Sequence, residues 1–124
     1  MRRKKIMVIE DSEACQLLLQ ALLSKWNVDV TFFTDAESAL GAMRRFSPDL
    51  VFVDLVLPEM DGVAAIGAIR GMGGFESTPI VVTTSVNESA LSVEARDVGA
   101  STYMVKPVTE EALATVLERF GAQR

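Results

Sequence analysis

Five short apolar runs of strand-forming residues alternate with five helix-like segments along this chain of 124 residues. The predicted strands are residues 5–9, 28–33, 50–53, 80–85 and 102–105. The predicted helices begin after Ser12, after Thr34 or Asp35, after Gly62, near residue 88 and after Thr109. Short connections between alternating strands and helices call for parallel strands whose right-handed crossovers cover both faces of one sheet. We therefore expect an α/β protein with a doubly wound parallel sheet, as one domain over residues 1–124.

The first predicted helix has apolar residues at helical spacing. This stripe consists of Ala14, Leu17, Leu18, Ala21 and Leu22. Because residues three and four positions apart share one face of a helix, this spacing predicts a helix that Ser12 can cap.

The composition excludes several functional classes. A net charge of −5 argues against direct nucleic-acid binding, which depends on neutralising phosphates. The chain has no histidine, so it is neither a phosphohistidine donor, a Ser-His-Asp hydrolase nor a His-ligated metal enzyme. Its single cysteine, Cys15, suits a reducing compartment, and no apolar run is long enough to span a bilayer. We expect a cytoplasmic protein without a membrane anchor.

Polar side chains follow four of the predicted strands where each strand ends. These residues are Glu10 and Asp11, Asp54, Thr84 with Ser85, and Lys106. Because parallel strands present their carboxyl ends on one side of a sheet, we expect these side chains to be neighbours. Crowded carboxylates repel one another unless a cation lies among them, and oxygen ligands favour a hard cation. The set predicts a Mg²⁺ site at this edge.

Asp54 is the candidate nucleophile of the set. A carboxylate can attack phosphorus and form an aspartyl phosphate. A transferred phosphoryl group spreads negative charge over three oxygens, which Mg²⁺, Lys106 and the Thr84 hydroxyl would bind. Each of these residues, taken alone, could be a solvated surface group or could cap a turn. The hypothesis therefore depends on all of them lying at one edge of the sheet.

The pattern resembles the receiver domain of two-component response regulators, in its single-domain, chemotaxis-regulator-like form, over essentially the whole chain. The matching pieces are Glu10-Asp11, Asp54, Pro58-Glu59-Met60-Asp61-Gly62, Thr84, Gly99-Ala100 leading to Tyr103, and Lys106-Pro107. The resemblance implies a flavodoxin-like (βα)5 sheet with strand order 2-1-3-4-5. It also implies a phosphorelay phosphoprotein in which Asp54 accepts phosphate from a partner histidine kinase or histidine phosphotransfer protein.

The resemblance further implies a role for each site residue. The ligands of Mg²⁺ would be Asp11, Asp54 and the backbone carbonyl of Val56, and Glu10 would bind the metal through water. Lys106 would pair with the phosphoryl group. The switch would consist of Thr84 and Tyr103. The switch would alter the face made by the fourth helix, fifth strand and fifth helix, which would bind an unknown downstream protein or a second copy of the chain. Such a chain is not an enzyme but assists its own phosphotransfer and autodephosphorylation.

Two features depart from the commonest form of the family. Glu10 replaces the more frequent Asp, and Ser85 stands where Ala or Gly is usual. Ser85 is expected to narrow access to the phosphoryl site. Val56 and Val86 flank the site and cannot readily position an attacking water, so we expect slow autodephosphorylation.

Two alternatives remain open from the sequence. One is a pseudo-receiver that keeps the fold as a protein-binding module without phosphorylation. The other is a phosphohydrolase with Asp54 as nucleophile, which would need a second acid two residues later, where this chain has Val56.

Overall fold

A computed structural model, which describes residues 3–85 and 89–124, contains five β-strands and five α-helices in strict alternation. Their bounds are β1 Lys4–Ile9, α1 Glu13–Leu23, β2 Val28–Phe33, α2 Ala36–Phe46, β3 Leu50–Asp54, α3 Gly62–Arg70, β4 Ile80–Thr84, α4 Ser89–Asp97, β5 Thr102–Val105 and α5 Glu110–Arg119. The strands form one parallel sheet in the order β2-β1-β3-β4-β5. The predicted fold class and strand order are confirmed.

The core forms two layers because successive strand residues point to opposite faces of the sheet. On one face, Met7, Val51 and Val53 pack with residues of α2 and α3 and with Ala95 of α4. On the other face, Val8 and Phe52 pack with residues of α1 and α5. The central strand β3 is buried along its whole length, since helices cover both of its faces.

Side-chain caps fix where four of the helices begin. Ser12, Asp35, Asp61 and Thr109 each accept a hydrogen bond from the backbone N–H three residues later. These bonds satisfy N–H groups that a helix cannot pair internally. Asp35, rather than Thr34, caps α2.

The helix predicted after Ser12 is present as α1, but most of the apolar residues whose spacing predicted it are not in the core. Leu17 is 58% exposed and Leu18 is 38% exposed, whereas Leu19 and Leu23 are each only 2% exposed. Ala14 and Ala21 are also exposed, and Leu22 alone of the predicted stripe packs against the core. The physical reason is that leucines occur around more than one face of α1, so helical spacing could not identify the buried face.

Among the helices of the described residues, none combines the length and the hydropathy that a membrane span requires.

Candidate functional site

The sheet brings the carboxyl ends of β1, β3, β4 and β5 to one edge. Ile9 pairs with Val53, so Glu10 follows β1 beside the end of β3, where Asp54 is the last residue. Thr84 pairs with Val105, so Lys106 follows β5 at the same level. The backbone N–H of Lys106 donates to the Thr84 carbonyl at 2.7 Å, which fixes the point where the chain leaves the sheet.

Three carboxylates meet at this edge. Glu10, Asp11 and Asp54 each offer an oxygen atom, and these atoms lie within 4.8 Å of one another. Glu10 is 1% exposed and Asp54 is 5% exposed, whereas Asp11 is exposed. Two of the three acids are therefore largely shielded from water, and their mutual repulsion is correspondingly strong.

Lys106 lies between the two buried acids. Its Nζ donates a hydrogen bond to Asp54 Oδ2 at 3.0 Å and forms an ion pair with Glu10 Oε1 at 2.9 Å. Burial disfavours the charged ammonium, but the hydrogen bonds and charges of Glu10 and Asp54 outweigh this effect and raise the pKa of Lys106. Lys106 is therefore a fixed positive charge at the site.

Backbone groups hold both buried carboxylates in place. The Ser12 N–H donates to Glu10 Oε2 at 3.1 Å, and the Val56 N–H donates to Asp54 Oδ1 at 3.1 Å. The side-chain amide of Gln16 donates to the Glu10 backbone carbonyl. Burial raises the pKa of Glu10, and the Asp54 charge adds to the rise, while Lys106 and the Ser12 N–H oppose it.

The donor set fits a hard divalent cation. Carboxylate oxygens in a small space are the ligands that Mg²⁺ prefers. The buried Glu10 Oε1 lies 2.9 Å from Lys106 Nζ, so one ammonium already faces this cluster. Three carboxylates with one ammonium still leave net negative charge, which a divalent cation would offset. Glu10, Asp11 and Asp54 are thus the residues that could hold a metal.

Gly62 is a site residue whose role the sequence analysis missed. Its N–H donates to the Leu55 carbonyl at 2.9 Å, which folds the start of α3 back onto the end of β3. A Cβ atom at Gly62 would lie 2.5 Å from the Asp54 carbonyl oxygen. The Asp61-Gly62 pair indicated only a turn, although a glycine directly after a helix cap also signals close backbone approach.

The predicted switch residues lie around a neighbouring cavity. Thr84 is buried at the end of β4, and its hydroxyl donates to the Ser85 carbonyl at 3.2 Å. Thr84, half-buried Ser85 and Tyr103 line a cavity of about 560 Å³ beside α4 and β5. Tyr103 itself is 59% exposed. Val86, predicted to control access to the phosphoryl site, lies outside the described residues.

Known proteins of one family are similar to most of this chain. A family model described as the response regulator receiver domain matches residues 6–118. Protein PilG of Pseudomonas aeruginosa is 32% identical over 109 residues, covering 88% of this chain and 81% of PilG. The transcriptional regulatory protein ZraR of Escherichia coli is 32% identical over 114 residues, covering 92% of this chain but 25% of ZraR. The chain thus spans less than half the length of ZraR and of several other curated relatives that it matches.

Two solved structures are similar over nearly the whole chain. Chemotaxis protein CheY4 of Vibrio cholerae superposes with a TM-score of 0.89 at 25% identity, covering 96% of this chain and 99% of CheY4. The receiver domain of sensor histidine kinase PA1611 of Pseudomonas aeruginosa has a TM-score of 0.87 at 25% identity, covering 96% and 98% of the two chains. The PA1611 structure holds a magnesium ion in its active-site cleft. The resemblance noted from the sequence is confirmed, and the chain belongs to the receiver domains of two-component response regulators.

Proposed function

We propose that this chain is a Mg²⁺-dependent phosphoacceptor switch in a two-component phosphorelay. Asp54 would take a phosphoryl group from a phosphohistidine on a partner histidine kinase or histidine phosphotransfer protein. The observation that carries the proposal is the position of Lys106 Nζ, 3.0 Å from Asp54 Oδ2 and beside the Glu10 and Asp11 carboxylates. The carboxylate of Asp54, the ammonium of Lys106 and the oxygens that would hold the metal thus lie together at one edge of the sheet.

The proposed transfer needs positioning and charge neutralisation more than covalent assistance. An Asp54 carboxylate oxygen attacks phosphorus while the P–N bond of the phosphohistidine breaks, and the bonding electron pair stays on the imidazole nitrogen. Lys106 pairs with one phosphoryl oxygen, and the Thr84 hydroxyl binds another. Asp11, Asp54 and the Val56 backbone carbonyl would hold Mg²⁺, with Glu10 acting through water. When bound, the metal supplies the positive charge that offsets the carboxylates and the phosphoryl oxygens.

The proposed switch couples the phosphoryl site to the surface formed by α4, β5 and α5. Thr84 would move toward the bound phosphoryl group, and Tyr103 would turn inward. The cavity of about 560 Å³ that both residues line supports this, because it offers space for the tyrosine ring. The altered surface would bind a downstream protein or a second copy of this chain.

The side chains near the nucleophile favour a long-lived phosphoryl group. Val56 is 53% exposed beside Asp54 and carries no group that could orient a water molecule. Ser85 is half-buried next to Thr84. We expect slow autodephosphorylation, and we expect Ser85→Ala to change the rate at which phosphorylation or dephosphorylation occurs. The measurement follows the amount of phosphoryl adduct with time in the wild type and in Ser85→Ala. Equal rates in the two proteins would contradict a role for Ser85.

The proposal is tested by intact-protein mass spectrometry after incubation with acetyl phosphate, with and without Mg²⁺. We expect one phosphoryl adduct that requires Mg²⁺ and is absent in Asp54→Asn. The absence of any adduct in the wild-type chain would instead support a pseudo-receiver. Steady turnover of a generic phosphoester would instead support a phosphohydrolase. Such an enzyme needs a second acid two residues after the nucleophile, and this chain has Val56 at that position.

A further inference from the structure

We infer that Arg70 keeps open the cavity into which Tyr103 would turn, by tying the carboxyl end of α4 to the end of α3. The inference rests on the proposed switch and deepens it, because it assigns a residue that shapes the space the switch needs. Arg70 is a positioning residue in this account: it acts on Tyr103 through the position of α4.

The guanidinium of Arg70 joins three segments of the chain. Arg70 is the last residue of α3, and its Nε and Nη2 donate to the Gly99 carbonyl at 3.0 Å and 2.8 Å. Its Nη1 donates to the carbonyls of Phe75 and Thr78 at 3.0 Å and 2.6 Å. Gly99 lies in the turn that follows α4, and the other two residues lie between α3 and β4. One side chain therefore fixes the end of α4 to α3 and to the loop after α3.

Gly99 leaves the room that the guanidinium occupies. A Cβ atom at this position would lie 2.8 Å from Arg70 Cγ and 2.9 Å from Arg70 Nε. The φ angle of +124° at Gly99 is one that glycine adopts at no steric cost. The Gly99 N–H donates to the Arg96 carbonyl at 3.1 Å, and the Ala100 N–H donates to the Ala95 carbonyl at 2.9 Å. The turn is thus wound onto the end of α4, so that holding Gly99 also holds the helix.

The core contacts of α4 lie on the α3 side of the helix. Ala95 is 1% exposed, and it belongs to the core layer that contains residues of α2 and α3. Half-buried Leu91 and Ala100 pack against the same layer. Ser92 and Val93 of α4 instead line the cavity of about 560 Å³ beside β5. The helix is therefore packed toward α3, with open space between it and β5.

The wall of the cavity that β5 forms is fixed independently. The Ser101 N–H donates to the Ile80 carbonyl at 2.8 Å, and the Ile80 N–H donates to Ser101 Oγ at 3.0 Å. These bonds tie the start of β5 to the start of β4, and Tyr103 pairs with Val82 in the sheet. Because β5 is held by the sheet, the width of the cavity depends on where α4 lies.

Arg70 opposes closure of this cavity. Val82, Val93 and Val105 give it an apolar lining, and apolar surfaces in water gain free energy when they come together. Hydrogen bonds from a charged donor are stronger than neutral ones, and Arg70 directs two of them to the Gly99 carbonyl. Without Arg70, α4 would settle toward β5, and the ring of Tyr103 would have no space to enter.

The test uses the tyrosine itself as the probe. Tyr103 is the only tyrosine of the chain, so protein labelled with fluorotyrosine gives a single fluorine NMR resonance from this ring. Spectra of wild type, Arg70→Met and Arg70→Lys are recorded before and after incubation with acetyl phosphate and Mg²⁺. Intact-protein mass spectrometry gives the phosphorylated fraction of each sample, so that spectra are compared at equal phosphorylation.

We expect phosphorylation to shift the resonance in the wild type and this shift to be lost in Arg70→Met. It should also be lost in Arg70→Lys, because a lysine keeps the charge but has one nitrogen and cannot reach all three carbonyls. Arg44→Met is the matched control and should keep the shift. Arg44 is an arginine at the end of α2 that donates to the Gly73 carbonyl at 3.0 Å, in the loop after α3 and away from α4. Thermal unfolding by circular dichroism checks that each variant is folded.

A full shift in Arg70→Met overturns the inference, and so does an equal loss in Arg44→Met. Hydrogen exchange of the wild type gives a second test that needs no variant. Amides of residues 98–101 should exchange at the same rate before and after phosphorylation, and faster exchange afterwards would mean that the tie to Arg70 breaks.

Two outcomes in the wild type separate failure of the inference from failure of the proposed function. A phosphoryl adduct without any shift of the Tyr103 resonance overturns the inference but leaves Asp54 as the phosphoacceptor. The absence of an adduct contradicts the proposed function itself.

Discussion

Gly62 lies against the backbone at the end of β3 at a distance that only a residue without a side chain allows. An added Cβ would lie 2.5 Å from the Asp54 carbonyl oxygen and 2.7 Å from the Leu55 Cα atom. Both obstacles are backbone atoms, which cannot rotate away as a side chain can. Any residue larger than glycine must therefore shift the segment that carries Asp54.

We expect Gly62→Ala to destabilise the protein by about 1–3 kcal/mol, the usual cost of overpacking a tight contact. It should also slow phosphorylation by acetyl phosphate, because Asp54 is displaced. Gly67→Ala in the same helix is the matched control, since no atom lies within 4 Å of an added Cβ there. This control should gain about 0.5–1 kcal/mol from its higher helix propensity. Urea unfolding measures both, and equal stability of the two variants would contradict the packing argument.

The sequence predicted which residues meet at the site but not every contact between them. The placement of Glu10, Asp54 and Lys106 on one edge followed from parallel strand ends. The bridge from Glu10 to Lys106 did not follow, because it depends on side-chain reach across two intervening strands. Such a distance is set by the twist and spacing of the sheet, which no local pattern contains.

At the scale of an element, α1 presents leucines in two directions. Leu19 and Leu23 pack into the core, while Leu17 and Leu18 are exposed. Leu18 and Cys15 line a small cavity of about 220 Å³ together with Glu10 and Lys106. Helical periodicity located α1 correctly, but the buried face was decided by the sheet against which the helix packs.

We expect Leu19→Ala to cost about 2–5 kcal/mol, since a side chain that is 2% exposed leaves a cavity when truncated. Leu17→Ala should change stability by less than about 0.5 kcal/mol, as for most exposed positions. Chemical unfolding of the two variants compares the faces directly. A larger loss for Leu17→Ala would mean that the packed face of α1 is the one its spacing first suggested.

At the scale of the whole molecule, alternation of strands and helices predicted a parallel sheet but not the order of its strands. Short crossover connections are compatible with more than one order of the five strands in a sheet. The order 2-1-3-4-5 came from the resemblance to receiver domains, and the structure confirms it. That order places β3 at the centre, so Asp54 has Glu10 on one side and Lys106 on the other.

The carboxylate cluster links metal binding to global stability. A ligand that binds only the native state stabilises it by mass action, by about 2.7 kcal/mol when its concentration is 100 times its dissociation constant. We therefore expect Mg²⁺ to raise the melting temperature of the wild-type chain and to have a much smaller effect on Asp54→Asn. Scanning calorimetry with Mg²⁺ and with a chelator measures this. An equal response in both proteins would place the metal elsewhere.

Chemical identification of the phosphorylated residue tests directly whether Asp54 is the phosphoacceptor. The chain is incubated with acetyl phosphate and Mg²⁺, reduced with sodium borohydride, which converts an acyl phosphate to an alcohol, and then mapped by peptide mass spectrometry. We expect the reduced residue at position 54 and nowhere else, and only when Mg²⁺ was present. Reduction at Glu10 or Asp11, or no reduced residue at all, would contradict the assignment of Asp54 as the phosphoacceptor.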